Sequence, residues 1–180
     1  MFTRAIVRKP CEAMIDGIST AGLGLPDYEL ACRQHADYVT GLEGCGLAVT
    51  VLPADLEYPD GTFVEDTAIM LPSGVILTRP GAISRRGEVE RIRPTLESLF
   101  NNVSVIEPPG TLEGGDVLMV GSHFYIGISE RSNHDGAQQM IGILAKHGLT
   151  GSMVQLKEML HLKSGVSYLE GGNLLVYGEF

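Results

Sequence analysis

Residues 112–120 read Leu112-Glu113-Gly114-Gly115-Asp116-Val117-Leu118-Met119-Val120, and residues 169–177 repeat the phrase as Leu169-Glu170-Gly171-Gly172-Asn173-Leu174-Leu175-Val176-Tyr177. In both copies an acid and two glycines lead into an apolar strand. A fainter third copy, Val64-Glu65-Asp66-Thr67-Ala68-Ile69-Met70, keeps the acid without the glycines. The three glutamates recur at intervals of 48 and 57 residues. Such a period predicts that one strand-helix unit is reused along the chain, with corresponding acids at corresponding strand ends.

The composition is that of a folded globular protein. With 180 residues, of which 44% are hydrophobic and 19% charged, the chain is expected to form a single domain over residues 1–180. No apolar run approaches the ~18 residues of a transmembrane helix, and the charged N-terminal run is unlike a signal peptide, so no membrane is expected. The net charge of −9 argues against nucleic acid as a partner. It suits a small cationic substrate, although an acidic surface that only maintains solubility explains it as well.

The chain has three cysteines, Cys11, Cys32 and Cys45. An odd number without metal-like spacing is typical of a reducing cytoplasm, where we expect this protein to be located. Cys32 and Cys45 fall on or at the end of a predicted helix whose apolar face should pack against the core.

Hydrophobic periodicity predicts an α/β chain in which a strand, a helix and two or three further strands recur about three times. The predicted strands are residues 2–8, 47–52, 62–71, 75–78, 103–106, 117–120, 124–128, 153–156 and 174–177. The predicted helices are residues 28–45, 88–100 and 134–146. The last strand should leave an apolar edge that something else covers.

Acidic residues are densest in Asp60-Gly61-Thr62-Phe63-Val64-Glu65-Asp66, at the start of a predicted strand. Alternation along that strand places Asp66 on one face and Glu65 on the other. A buried acid is costly unless it has a partner, and a planar cation such as a guanidinium would be an adequate partner for two or three carboxylates. An acid that caps a turn or pairs with a nearby arginine is the alternative.

Arginines cluster in the loop of residues 78–87, which contains Arg79, Arg85 and Arg86, and Arg131 has a similar place one unit later. A loop arginine can hold a substrate carboxylate through two parallel hydrogen bonds, although most loop arginines are simply solvated.

His161 stands between two leucines, which suggests that it is sequestered. Near carboxylates, such a histidine can serve as a general acid or base close to neutral pH. A core histidine with satisfied hydrogen bonds is the alternative. The glycines after Glu113 permit close backbone approach and positive φ, as expected for a strand that begins beneath a ligand. Neither copy fits the glycine pattern of a dinucleotide site.

Four motifs, taken together in their order along the chain, resemble those of the guanidino-modifying (pentein) superfamily. They are Phe63-Val64-Glu65-Asp66, Thr78-Arg79-Pro80-Gly81 with Ser84-Arg85-Arg86, Glu113-Gly114-Gly115-Asp116, and His161-Leu162-Lys163-Ser164-Gly165. The resemblance covers essentially the whole chain and is strongest to the bacterial-type dimethylarginine dimethylaminohydrolase (DDAH) family. It implies an α/β propeller of five ββαβ modules around a substrate channel, of which this chain would hold about three and a half.

The family reaction implied by the resemblance hydrolyses a methylated arginine to citrulline and a methylamine. A cysteine thiolate attacks the guanidinium carbon, the amine leaves, and water releases the covalent intermediate. The resemblance implies no metal and no organic cofactor.

Matched motif by motif, His161 resembles the catalytic acid/base, and Glu113 and Asp66 resemble the carboxylates that orient the guanidinium, with Glu113 also near the histidine. Arg85 and Arg131 resemble the pair that grips the substrate α-carboxylate. Three further residues resemble the pocket for the α-amino group and side chain: Asp60, with the backbone around Ile18 and Glu65. Glu170 matches no catalytic position and is expected to be structural.

The family nucleophile is a cysteine near the C-terminus, in a final module that this sequence does not reach. None of the three cysteines resembles it, so we expect the 180-residue chain alone not to catalyse hydrolysis. The expected partners are a methylated arginine and either a homodimer or a partner chain that completes the fold. The alternatives are another arginine-processing enzyme of the superfamily, such as a deiminase or amidinotransferase, and a non-catalytic arginine-binding protein.

Overall fold

The computed structural model describes residues 2–20, 22–157, 159–169 and 171–178. It divides into two compact units, residues 1–64 and 65–180, which are described separately. The single domain over residues 1–180 stays a prediction. No helix in the described ranges is long and apolar enough to cross a membrane. Glu170, predicted to be structural, and the last two residues lie outside the described ranges.

The first unit is a parallel pair of strands joined by a helix. Strand β1 (Arg4–Arg8) pairs with β2 (Ala48–Leu52), and α1 (Tyr28–Gly44) connects them. The helix starts where predicted, because the Asp27 side chain accepts a hydrogen bond from the Leu30 N–H at 2.9 Å. The expected packing of its apolar face is met only in part, because α1 contains no fully buried residue. Its half-buried positions share one face, and they are Tyr28, Ala31, Cys32, His35, Val39 and Leu42. Two five-residue strands offer too little surface to cover so long a helix.

The second unit contains two three-stranded sheets of one design. In each, an antiparallel hairpin is followed by a helix and by a strand parallel to the second hairpin strand. The first sheet consists of β3 (Ala68–Leu71), β4 (Gly74–Leu77), α2 (Arg86–Leu99) and β5 (Val103–Val105). The second consists of β6 (Val117–Val120), β7 (His123–Ile128), α3 (His134–Lys146) and β8 (Thr150–Gln155). A third hairpin, β9 (Val166–Tyr168) and β10 (Leu174–Val176), follows.

The three hairpins begin at Ala68, Val117 and Val166, a constant spacing of 49 residues. This regular spacing is the repeat of the fold, and it differs from the spacing of the three glutamates. The second glycine phrase falls in the turn between β9 and β10, where Gly171 and Gly172 have φ of 61° and 81°. The first copy instead precedes its hairpin. The two copies are therefore not equivalent, because one pair of glycines makes a turn and the other permits close packing.

A short 3-10 helix precedes β3, over Val64–Thr67. The predicted strand over residues 62–71 is therefore wrong in its first half. Strand alternation placed Asp66 and Glu65 on opposite faces, and they do differ, with Asp66 buried and Glu65 exposed, but a 3-10 helix separates them rather than a strand. Similar 3-10 helices, Gly114–Asp116 before β6 and Leu162–Ser164 just before β9, were not predicted. Runs of three or four residues are too short for a periodic signal.

The core of the second unit lies between its two sheets and α3. Its largest fully buried side chains include Phe124, Ile126 and Met140. Leu112 joins the same cluster and bridges to Arg79, with its N–H donating to the Arg79 carbonyl at 2.8 Å. This bridge fixes the chain immediately before Glu113, so a rigid core supports the start of the glycine phrase.

Candidate active site

Three side chains of the second unit meet at the 3-10 helices that precede the three hairpins. Asp66 lies in the first 3-10 helix, Glu113 immediately precedes the second, and His161 immediately precedes the third. One side-chain polar atom from each, a carboxylate oxygen or a ring nitrogen, lies within 4.8 Å of the other two. The repeat of the fold therefore brings together three of the residues that the sequence singled out.

The His161 ring lies among three carboxylates. Its Nε2 is 3.4 Å from Glu113 Oε2 and 3.9 Å from Asp66 Oδ1, and its Nδ1 is 3.5 Å from Asp116 Oδ2. Burial lowers the pKa of His161, but the interactions with Asp116, Asp66 and Glu113 outweigh burial, so the pKa lies above its usual value of 6.5. The ring is thus biased towards the imidazolium, which is ready to donate a proton.

Glu113 is fully buried, and its two oxygens have different surroundings. Oε1 accepts a hydrogen bond from the Gly81 N–H at 3.1 Å, whereas Oε2 has no hydrogen-bond partner in the part of the chain that the structure describes. Burial and the neighbouring charge of Asp66 raise the pKa of this carboxyl, against the opposing pull of Arg85, Arg131 and His161. A buried acceptor without a donor is an unusual feature that a ligand N–H would satisfy.

Asp66 is held on both sides. Its Oδ2 accepts from Arg85 Nη1 at 2.7 Å, and its Oδ1 accepts from the Gly115 N–H at 2.8 Å. Arg85 is itself only 5% exposed and makes a two-point contact with Glu88, at 3.0 and 2.8 Å. Burial alone would lower the pKa of Arg85, but Glu88 and Asp66 raise it, so the guanidinium stays charged. Arg85 therefore pairs with Asp66 and Glu88 and also lies 3.9 Å from Glu113 Oε2. Its predicted grip on a substrate carboxylate stays a prediction.

Arg131 is less tightly engaged than Arg85. Its guanidinium Nη1 lies 3.7 Å from Glu113 Oε1, and its side chain is 16% exposed. Its backbone packs closely on Gly81, where a side chain on the glycine would collide with the Arg131 backbone. Its predicted role in holding a carboxylate also stays a prediction.

Glu65, unlike Asp66, is exposed, and its carboxylate pairs with Lys163 Nζ at 2.5 Å. Its backbone carbonyl lies directly against Gly114. In the first unit, Asp60 accepts hydrogen bonds from the Ile18 N–H with both carboxylate oxygens, at 3.1 and 3.2 Å. The structure thus joins Asp60 to Ile18 as a pair, while the roles predicted for Asp60, Ile18 and Glu65 stay predictions.

Sequence reasoning missed Asp116 as a site residue, although it lies inside the opening phrase. Asp116 is the last residue of the 3-10 helix Gly114–Asp116, and only the folded structure shows that its carboxylate lies near His161. Asp66, Glu113 and His161 lie close enough together for all three to contact one small cation or one planar cation with N–H donors. Because Glu113 Oε2 accepts no hydrogen bond among the described residues, a planar cation with N–H donors suits the arrangement well.

A family profile described as "Arginine deiminase" matches residues 57–180. Among curated proteins, the N(G),N(G)-dimethylarginine dimethylaminohydrolase of Pseudomonas aeruginosa is 50% identical over 181 residues, which cover 100% of this chain and 71% of that protein. The protein of the same name from Streptomyces coelicolor is 36% identical, with 96% of this chain and 67% of that protein covered.

Among solved structures, a mutant DDAH from Pseudomonas aeruginosa complexed with citrulline has a TM-score of 0.97 and 49% identity, over 99% of this chain and 71% of that one. The N-terminal domain of ArgZ, an arginine dihydrolase from cyanobacteria, has a TM-score of 0.84 at 20% identity, over 94% of this chain and 64% of that one, and so shows likeness of fold alone. The predicted α/β fold of pentein type is confirmed by these likenesses. The propeller and the number of modules stay predictions.

Proposed function

Because this chain belongs to the arginine deiminase family, among the dimethylarginine dimethylaminohydrolases, we propose that it binds Nω-methylated arginine and supplies the proton-transfer groups for hydrolysis of its guanidinium. The products would be citrulline and a methylamine. The family recognised from the ordered motifs is confirmed.

The observation that carries the proposal is the buried Oε2 of Glu113. It lacks a hydrogen-bond donor in the described part of the chain, yet it lies beside Asp66 and His161. A guanidinium offers several N–H donors in one plane together with a positive charge. Placed here, it would satisfy Glu113 and face a second carboxylate, so both acids would orient the carbon that reacts.

His161 is proposed as the acid/base. A thiolate adds to the guanidinium carbon, and the C–N bond to the methylamine breaks as the amine takes a proton from Nε2 of His161. The neutral ring then accepts a proton from the water that adds to the carbon, and the C–S bond breaks to give citrulline and restore the thiolate. A bound guanidinium offsets part of the carboxylate charge that raises the pKa of His161, which favours release of the Nε2 proton.

The thiolate is the part that this unit does not supply, because the cysteines of the chain, Cys11, Cys32 and Cys45, all precede residue 65. We propose that a partner chain, a second copy or a further segment provides it. Arg85 and Arg131 are proposed to hold the substrate carboxylate, and three residues are proposed for its amino end: Asp60, Ile18 and Glu65. A cytoplasmic location is proposed on the cysteine pattern, since all three cysteines are free.

Titration calorimetry with asymmetric dimethylarginine tests the proposal. The chain should bind it, and Glu113→Gln should weaken the Kd roughly 10- to 100-fold, because a hydrogen bond to a charged group contributes about 1.5–3 kcal/mol. Glu43→Gln, which removes an exposed carboxylate on α1, should leave the Kd unchanged. Absence of binding to the unaltered chain, or equal binding by Glu113→Gln, would contradict the proposal.

The alternatives give different results in the same experiment. Arginine that binds as tightly as its methylated form would favour a deiminase-like enzyme. Binding without amine release, even after the relatives' C-terminal portion is supplied as a separate chain, would favour the non-catalytic binding protein. Measured release of dimethylamine by the 180-residue chain alone would contradict the expectation that it does not catalyse hydrolysis unaided.

A further inference from the structure

Asp116 is a buried carboxylate whose hydrogen bonds come only from neutral groups. It is 0% exposed, its Oδ1 accepts from the Leu162 N–H at 3.0 Å, and its Oδ2 accepts from Ser129 Oγ at 2.7 Å. Among the described residues, no lysine or arginine makes an ion pair with it. A buried anion needs a compensating cation, and the cationic group that faces Asp116 is the ring of His161.

The ring faces Asp116 with one particular nitrogen. Nδ1 of His161 lies 3.5 Å from Asp116 Oδ2 and has no hydrogen-bond partner in the described ranges, whereas Nε2 faces Glu113 and Asp66. A separation of 3.5 Å is longer than a formed hydrogen bond, so in this state Asp116 acts on Nδ1 through its charge. Such contacts in ligand-free sites commonly tighten when the substrate binds.

Asp116 also fixes the backbone next to the histidine. Because its Oδ1 accepts from the Leu162 N–H, the peptide that follows His161 has one orientation. Asp66 holds the preceding 3-10 helix in the same way, by accepting from the Gly115 N–H. The two acids therefore make the same kind of hydrogen bond between the 3-10 helices that precede successive hairpins, and Asp116 combines that bond with the contact to Nδ1.

We propose that Asp116 is a positioning residue that keeps the proton on Nδ1 of His161, so that Nε2 is the nitrogen that exchanges its proton with the reacting groups. The proposal rests on the proposed function for the identity of those groups. A carboxylate at Nδ1 stabilises the protonated form of that nitrogen, and a neutral imidazole can carry only one proton. With Nδ1–H retained, Nε2 gives up its proton on the side of Glu113.

The same carboxylate orders the loop that holds Arg131. Ser129 Oγ donates its one proton to Asp116, which leaves its lone pairs to accept from the N–H groups of Arg131 and Ser132 at 3.0 and 3.2 Å. Ser132 Oγ in turn accepts from the Glu113 N–H at 3.0 Å. Asp116 thus connects the histidine to the loop of Arg131 through a single serine.

Among the described residues, three acids face the His161 ring, and each faces one particular ring nitrogen. Asp66 and Glu113 face Nε2, and Asp116 faces Nδ1. Arg85 and Arg131 approach Glu113 rather than the ring. A change at Nδ1 therefore reports on Asp116, and a change at Nε2 reports on the other two acids.

Nitrogen NMR of the ¹⁵N-histidine-labelled chain tests the proposal, with the His161 signals assigned by comparison with His161→Gln. Above the pKa of His161 the neutral ring should carry its proton on Nδ1. A neutral ring protonated on Nε2 in the unaltered chain would overturn the proposal without any variant. This measurement needs no substrate, so it can fail while methylarginine still binds, and it can succeed while methylarginine does not bind.

Asp116→Asn supplies the second arm. It should lower the pKa of His161 and cause a loss of the pure Nδ1–H form. Ser129→Ala removes the hydroxyl partner but keeps the carboxylate, so it should retain the Nδ1–H form. Asp135→Asn, which removes one exposed negative charge at the start of α3, should change neither. An unchanged tautomer and titration curve in folded Asp116→Asn would overturn the proposal, and if that variant does not fold, the unaltered chain decides.

Discussion

Gly115 is the residue whose missing side chain shapes the site. A Cβ added there would lie 2.7 Å from Cγ and Cδ2 of the His161 ring and 3.0 Å from Asp66 Oδ1. Neighbouring Gly114 is pressed directly against the Glu65 carbonyl. The sequence predicted close packing at these glycines. It could not show that His161 is the group that packs on Gly115, because the two residues are 46 positions apart in the chain.

Gly115→Ala should displace the His161 ring and weaken dimethylarginine binding. The overlap of the added methyl group with the ring should lower the free energy of unfolding by about 1–3 kcal/mol, the usual cost of overpacking. Calorimetry and urea denaturation measure the two effects. Gly142→Ala, at an open position of α3, should leave binding unchanged and stabilise the protein by about 0.5–1 kcal/mol. Equal behaviour of the two variants would contradict this account of Gly115.

At the scale of elements, the helices and the first two hairpins were predictable, whereas the 3-10 helices that carry the site were not. Helix α3 was predicted with the correct bounds because its apolar positions recur with helical spacing. Strand β9, Val166–Tyr168, was missed because a serine interrupts its short apolar run, whereas the equally short β10 lies in the continuous apolar run of residues 174–177. The resemblance identified Asp66, Glu113 and His161, and the structure brings them together, yet no local pattern indicated that Arg85 would be buried between Asp66 and Glu88.

Helix α3 depends on Asn133, which ties it to the segment before Glu113. The Asn133 side chain accepts from the N–H groups of Gly136 and Thr111, both at 2.9 Å. Asn133→Ala should therefore lower the free energy of unfolding by about 1–2 kcal/mol, measured by urea denaturation. Asn133→Asp keeps the acceptor and should recover most of the loss. If the alanine and aspartate variants were equally stable, the cap would contribute nothing measurable.

At the scale of the whole molecule, the raised pKa values in the site make the free energy of unfolding fall as the pH rises. The pKa values of both His161 and Glu113 are raised in the folded protein, so the folded state holds protons that the unfolded chain releases. The stabilisation from His161 is complete below pH 6.5 and is lost as the pH rises through its folded-state pKa. His35, whose pKa is lowered mainly by burial, acts in the opposite direction. Comparison with a variant is therefore needed to isolate His161.

Urea denaturation at several pH values between 6 and 9 measures this effect. The free energy of unfolding of the unaltered chain, minus that of His161→Gln, should fall as the pH rises, because the variant has no proton to lose. A difference that grows with pH for His161→Gln would show that the ring is held in its neutral form.

The ties from Asp66 to Gly115 and from Asp116 to Leu162 also have a direction in time. In each, the acceptor precedes the donor, by 49 residues in the first and 46 in the second. During synthesis every acid therefore leaves the ribosome before the amide that it will bind. When the Gly115 or Leu162 N–H emerges, the carboxylate that will accept its hydrogen bond has already been synthesised. The order of translation is therefore also the order in which the hydrogen bonds around His161 can form.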